Sequence, residues 1–491
     1  MKKILFLTAS AIAMLASCSQ NDLEAPVVAE AQQSAVEFGT YLGKAATSRA
    51  GYSATDMDDL ALKDRKADDS ADETRSQGFG VFAYYTGDTQ WASYTPVATE
   101  GPNFMYNTQV RWDNTNTKWT YTDVRYWPNE NQPADDESAT GVDKAQSYLS
   151  FFAYAPYVSV TKTTGEVTEN STWGITKLSA NNATEKGPYL YYTLDNDHPV
   201  DFVYGTRGAA TYQEADGTDN NGTVGTDFNV DLTKQKVGEK VNFLFKHALA
   251  KFGGNTKDAN ENKLGLLIQL DIDDWTNETG GTKGANTRVT VKNIKITPEK
   301  TTVDGNDVSI LKKNDIFNLS TGAWLDKGTD AATNIASTDY FAENTALVNL
   351  TYGASTKLAT AIAEPATVSE WSHVSGITGV TTDKQNVYQD AASTLLYPLA
   401  TGKKFDVEIE YVVRTKDDNL AKGYTEVTQK VKKQITFGSA VEAGKFYTLV
   451  IHLGLTEVKF VASVSAWDSD INGDNDDTND EQVVNLPINV K

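Results

Sequence analysis

Phe405-Asp406-Val407-Glu408-Ile409-Glu410-Tyr411 sets an apolar side chain at every odd position and a carboxylate at every even one. A period of two marks a β-strand, because successive side chains point to opposite faces. One face is dry and one wet, as an antiparallel sheet requires. Comparable runs recur at residues 79–85, 104–112, 119–127, 149–154, 241–252, 264–272, 431–437, 446–453 and 458–467. In residues 288–297 the phase slips: Val289 and Val291 share one parity, Ile294 and Ile296 the other. A bulge near Lys292-Asn293 brings all four to one core. No helix-period segment of useful length follows the first turns of sequence, although the charged stretch 56–71 suits a short helix or a loop. Turn-forming residues such as Asp113-Asn114-Thr115-Asn116 and Gly253-Gly254-Asn255 separate the strands. No fixed-period repeat is present, which excludes propellers and solenoids. The expectation is an all-β chain of two antiparallel β-sandwich domains in tandem, divided within the polar residues 253–263.

The N-terminus carries a different pattern. Lys2 and Lys3 precede the apolar run from Ile4 to Leu15, and Leu15-Ala16-Ser17-Cys18 closes it with small residues against the only cysteine of the chain. The run falls short of the roughly 20 residues that a membrane span needs. Charged head, short apolar middle and small-residue end describe an export signal, residues 1–17. Cleavage before Cys18 leaves a thiol and an amino group for acyl chains, so Cys18 is the expected lipidation site and the membrane contact. Losing Lys2 and Lys3 from the 44 basic residues, against 66 acidic ones, takes the formal net charge from −22 to −24. That sign argues against nucleic acid as a partner, because phosphates call for a basic face. With Cys18 acylated no disulfide remains, and the domains must hold by burial alone. The 23 Tyr, 18 Phe and 9 Trp against 12 Pro suit sheets packed through aromatic side chains.

Both ends hold strands set apart from the body. Residues 35–42 form one, followed by Ser48-Arg49-Ala50. At the other end Val484, Leu486, Ile488 and Val490 share one parity, behind an acidic spacer that begins at Asp468. Four aliphatic side chains on a detached strand must be buried somewhere. Pro487 cannot donate to a ladder, so this strand belongs at an edge. Insertion into a neighbouring subunit's sheet and packing on its own domain both satisfy these demands.

The N-terminal half resembles the fimbrillin (type V pilin) family of bacterial surface lipoproteins. The likeness is carried by Gly78-Phe79-Gly80-Val81-Phe82-Ala83-Tyr84-Tyr85, Phe104-Met105-Tyr106-Asn107, Trp119-Thr120-Tyr121, Tyr126-Trp127-Pro128-Asn129, Leu149-Ser150-Phe151-Phe152-Ala153-Tyr154 and Phe245-Lys246-His247-Ala248-Leu249-Ala250-Lys251. The C-terminal half is similar only in general pattern. The resemblance implies transthyretin-like sandwiches at 50–255 and 256–467, and a removable segment 18–49. An arginine-specific protease would cut between Arg49 and Ala50, with Arg65 and Arg75 as competing sites. Donor residues Val484, Leu486, Ile488 and Val490, within 468–491, would then enter the emptied groove of another copy or a related pilin. The implied location is the outer membrane surface and then a fimbria, supporting adhesion to a host or bacterial surface ligand.

Chemistry leaves few marks. Asp468-Ser469-Asp470-Ile471-Asn472-Gly473 resembles the start of a calcium loop, but Asn479 stands where a bidentate acid belongs, and no metal is assigned. The histidines His198, His247, His373 and His452 lack metal spacing. By parity His247 points inward and His452 outward. No nucleophile elbow, phosphate loop or paired-acid motif appears, so neither an enzyme nor a cofactor is expected. Trp91, Trp112, Trp119 and Trp127 suit either a core or a stacking platform for sugars. The platform would suit a surface lipoprotein that binds glycan or host protein and never polymerises.

Overall fold

The computed structural model describes residues 35–42, 78–95, 102–113, 116, 118–128, 148–168, 172–179, 186–195, 200–208, 225–233, 240–252, 266–271, 287–325, 340–343, 345–351, 384–390, 394–453, 458–466, 484–486 and 488–490. Among these residues every regular element is a strand.

The first sheet runs β1 (Glu37–Leu42), β10 (Lys240–His247), β8 (Val203–Arg207), β5 (Tyr148–Ala155), β2 (Phe79–Gly87), β3 (Met105–Asp113) and β4 (Lys118–Thr120), with β9 (Asn229–Leu232) also on β5. Its central strands are buried on both faces. Phe79, Val81, Leu149, Phe151, Val241 and Phe243 fill one core, together with Trp119 and Trp127. Phe82, Tyr84, Phe152 and Tyr154 fill a second. Residues 149–154, read above as a strand with one dry and one wet face, are instead buried on both sides, as apolar side chains at both parities allow.

The second core is roofed by a four-stranded sheet, β17 (Ala323–Trp324), β16 (Asn314–Asn318), β7 (Tyr189–Thr193) and β6 (Gly174–Ser179). Strands from both sides of residue 255 thus share one sheet. A three-stranded sheet, β14 (Lys300–Val303), β15 (Asn306–Lys312) and β18 (Tyr340–Ala342), stands beside it in sequence.

The third core is C-terminal. One sheet orders β20 (Lys384–Asp390), β12 (Leu266–Asp271), β24 (Lys445–Leu453), β11 (Ala250–Phe252) and β21 (Thr394–Leu396), with β25 (Val458–Ala466) on β24 and β26 (Val484–Leu486) on β25. The other orders β19 (Val348–Thr351), β13 (Thr287–Pro298), β22 (Lys404–Lys416), β23 (Tyr424–Phe437) and β27 (Ile488–Val490). Phe405, Val407, Ile409 and Tyr411 of β22 are buried. Their acidic neighbours meet lysines of β23: Lys432 lies 3.2 Å from Asp406 and 3.0 Å from Glu408, and Lys430 lies 2.9 Å from Glu410. The β13–β22 register shifts between Val291 and Asn293, and Val291, Ile294 and Ile296 are all buried. The slipped phase is therefore a bulge at Lys292.

The chain passes from the first sheet to the C-terminal sheet across Ala248-Leu249, both buried, a few residues before the stretch read as a boundary. β11 then pairs in parallel with β24.

Candidate functional site

The site of interest is the seat of the N-terminal strand. β1 lies at the edge of the first sheet and pairs in parallel with β10, from Glu37 opposite Lys240 to Leu42 opposite Phe245. On its other side Ala35 bridges Tyr126, and the Val36 N–H donates to the Arg125 carbonyl at 2.9 Å. The Tyr121 hydroxyl donates to the Val36 carbonyl at 2.8 Å. Burial raises the pKa of this phenol, so it stays a donor through the neutral range. A parallel strand cannot come from a tight hairpin. The partner of β1 is accordingly a strand some two hundred residues further along the chain.

Side chains do the holding. Val36 and Phe38 are 1% and 3% exposed, within the core of the first sheet. The Phe38 ring stacks on Phe243 with centroids 6.1 Å apart, and meets Tyr121 at 5.4 Å, Phe151 at 6.1 Å and Phe79 at 6.2 Å edge-on. Position 39 faces the other way, where an added Cβ would lie 2.1 Å from Asn242 Oδ1, so glycine there lets β1 approach β10 closely.

The C-terminal strand is split in two. In β26, Val484 pairs with Val464 and Leu486 with Ala462. In β27, Ile488 pairs with Phe437 and Val490 with Ile435. Each piece is three residues long and occupies an edge of a different C-terminal sheet. Of the two placements left open by the sequence, the isolated chain takes its own domain. Cys18, Arg49, Ala50 and the acidic residues Asp468 to Asp480 lie outside the described residues.

His247 is buried as parity indicated, its Nδ1 2.9 Å from the Asp201 carboxylate. His452 is buried too, against the parity expectation. The tryptophans form no shared platform: Trp91 belongs to one core, Trp119 and Trp127 to another, with Trp112 packed against the latter. Among the described residues no group of three His, Cys, Asp or Glu could hold a metal ion.

A cavity of about 350 Å³ opens beside β8, β16 and β17, lined by Tyr204, Phe317, Trp324 and Tyr397. Three of its polar groups already have protein partners. Trp324 Nε1 donates to the Ala248 carbonyl at 2.7 Å, the Tyr397 hydroxyl donates to the Tyr192 carbonyl at 2.8 Å, and Lys312 Nζ lies 2.7 Å from Asp315. Little remains there to orient a ligand.

A parallel-paired edge strand thus completes the aromatic core of an all-β chain. The solved structure of a fimbrial protein from Bacteroides vulgatus ATCC 8482 shares the fold at a TM-score of 0.51 and 18% identity, over 88% of this chain and 99% of that one. By sequence, a fimbrium subunit of Phocaeicola vulgatus, Fim1C, is 28% identical over 228 residues, 41% of this chain and 53% of the relative. The chain thus spans about half the length of the curated relative it matches. No protein-family model matches. The similarity to a fimbrium subunit agrees with the resemblance read from the motifs of the N-terminal half.

Proposed function

We propose that this chain is a structural subunit of a surface fimbria, exported as a lipoprotein on Cys18, clipped after Arg49 and polymerised by donor-strand exchange, in support of adhesion. The observation that carries the reading is the docking of β1. Val36 and Phe38 complete a core from the end of a long tether, and contribute about 3–6 kcal/mol by burial. Removing β1 bares the edge of β10 together with the Phe243 ring, which leaves an apolar slot shaped for an extended peptide. The alternate positions 36, 38, 40 and 42 match in spacing the alternate Val484, Leu486, Ile488 and Val490. Four such aliphatic side chains supply roughly 6–12 kcal/mol when buried, enough for a polymer without covalent links. In the unassembled chain the same strand rests on its own domain through two three-residue edge pairings, short enough to be released.

The test has two arms. Edman sequencing of surface-assembled protein is expected to begin at Ala50, and a blocked Cys18 terminus throughout would overturn the processing step. Deleting residues 482–491 is expected to leave a folded, exported subunit that forms no ladder on a mild gel. Ladders of normal length from that truncation would overturn donor-strand exchange.

A further inference from the structure

The N-terminal strand fills its seat with one flaw. Thr40 shares the parity of Val36 and Phe38 and stands in register with Phe243, which is fully buried. Thr40 is only 9% exposed, and its Oγ1 is buried with no hydrogen-bond partner among the described residues. A hydroxyl taken from water without a new partner weakens binding, whereas a methyl group of the same shape does not. The C-terminal strand carries no such group. Any in-phase alignment of Val484, Leu486, Ile488 and Val490 with positions 36, 38, 40 and 42, in either direction, sets an aliphatic side chain where Thr40 lies.

We infer that Thr40 is a built-in weak point that lowers the hold of the groove on β1, so that the C-terminal strand of a second copy displaces it. This inference rests on the donor-strand reading above. It makes Thr40 a residue that sets the direction of exchange: same slot, same spacing, one hydroxyl fewer in the incoming strand. The neighbouring inward residues cannot play this part, because Val36 and Phe38 are fully apolar and well packed.

The test uses the intact chain and amide hydrogen–deuterium exchange read by mass spectrometry, which reports strand opening whether or not the protein polymerises. Thr40→Val keeps the shape and removes the hydroxyl, and Thr40→Ser keeps the hydroxyl. Thr40→Val is expected to slow exchange of the 37–42 amides about tenfold, equal to about 1.4 kcal/mol, with the β22 amides unchanged. Thr40→Ser is expected to leave the 37–42 amides no slower than in the natural chain. After arginine-specific cleavage, the Thr40→Val subunit is expected to assemble more slowly. Exchange in Thr40→Val as fast as in the natural chain overturns the inference, and so does slower exchange with an unchanged assembly rate. A natural chain that never polymerises, combined with slower exchange in Thr40→Val, keeps the weak point and removes the donor-strand reading instead.

Discussion

Phe38 shows how one side chain decides whether a segment belongs to a domain. Its ring meets four aromatic neighbours from β2, β5, β10 and the loop after β4. Phe38→Ala is expected to lower the stability of the first core by about 3–5 kcal/mol, measured by urea unfolding followed through tryptophan fluorescence. The buried phenols of Tyr154 and Tyr397 make a second prediction. Burial pushes both well above the ordinary tyrosine range. The folded chain therefore keeps these protons at a pH where the unfolded chain releases them. Their contribution to stability is intact below about pH 10 and is lost as pH rises further. Phenolate absorbance from these two residues is expected to appear only together with alkaline unfolding; a gradual rise in a chain that stays folded by circular dichroism would contradict it. Residue-scale burial was legible in the sequence wherever only one face of a strand is covered. Parity placed His247 inward and failed for His452, because alternation shows which side meets the apolar core and is silent about what covers the other side. The tryptophans were ambiguous for the same reason, since an aromatic on a strand looks alike over a core and over a binding surface.

Between elements, the bulge in β13 was readable as a change of parity, and the register shift at Lys292 confirms it. Deleting Lys292 is expected to turn Ile294 and Ile296 out of the core, costing about 3–6 kcal/mol. Chemical denaturation of the deletion variant measures this, and a loss under 1 kcal/mol would mean the bulge simply migrates. The ion pairs between β22 and β23 should matter far less. The carboxylates of Glu408 and Asp406 hold Lys432 above its usual range, but the lysine is exposed. Lys432→Ala is expected to change stability by less than about 1 kcal/mol, and the change should shrink further at high salt. Pairing at long range left no local trace. Nothing in residues 37–42 announces β10 as a parallel partner some two hundred residues away, and nothing in 314–318 announces β7. Both pairings arise because an apolar face must find a complementary one, and a one-dimensional pattern does not record where that face is.

Across the whole molecule, one short crossing ties the first sheet to the C-terminal one, beside the β7–β16 pairing. Ala248 and Leu249 are buried between β10 and β11, and Trp324 donates to the Ala248 carbonyl while its ring meets Tyr397 at 4.7 Å and Phe317 at 4.9 Å. A cooperative link of this kind is expected to give a single calorimetric unfolding transition, which Trp324→Ala should split into two. The crossing also bears on how the proposed fibre would carry tension. β1 runs along β10 in parallel, and under the donor-strand proposal a strand of the same direction in that seat would take tension as shear on all its ladder bonds at once. β10 passes that tension through two residues into β11, itself in a parallel ladder with β24. The subunit thus contains a short, nearly inextensible tendon, and its resistance to rupture is set by ladder length more than by the stability of either core.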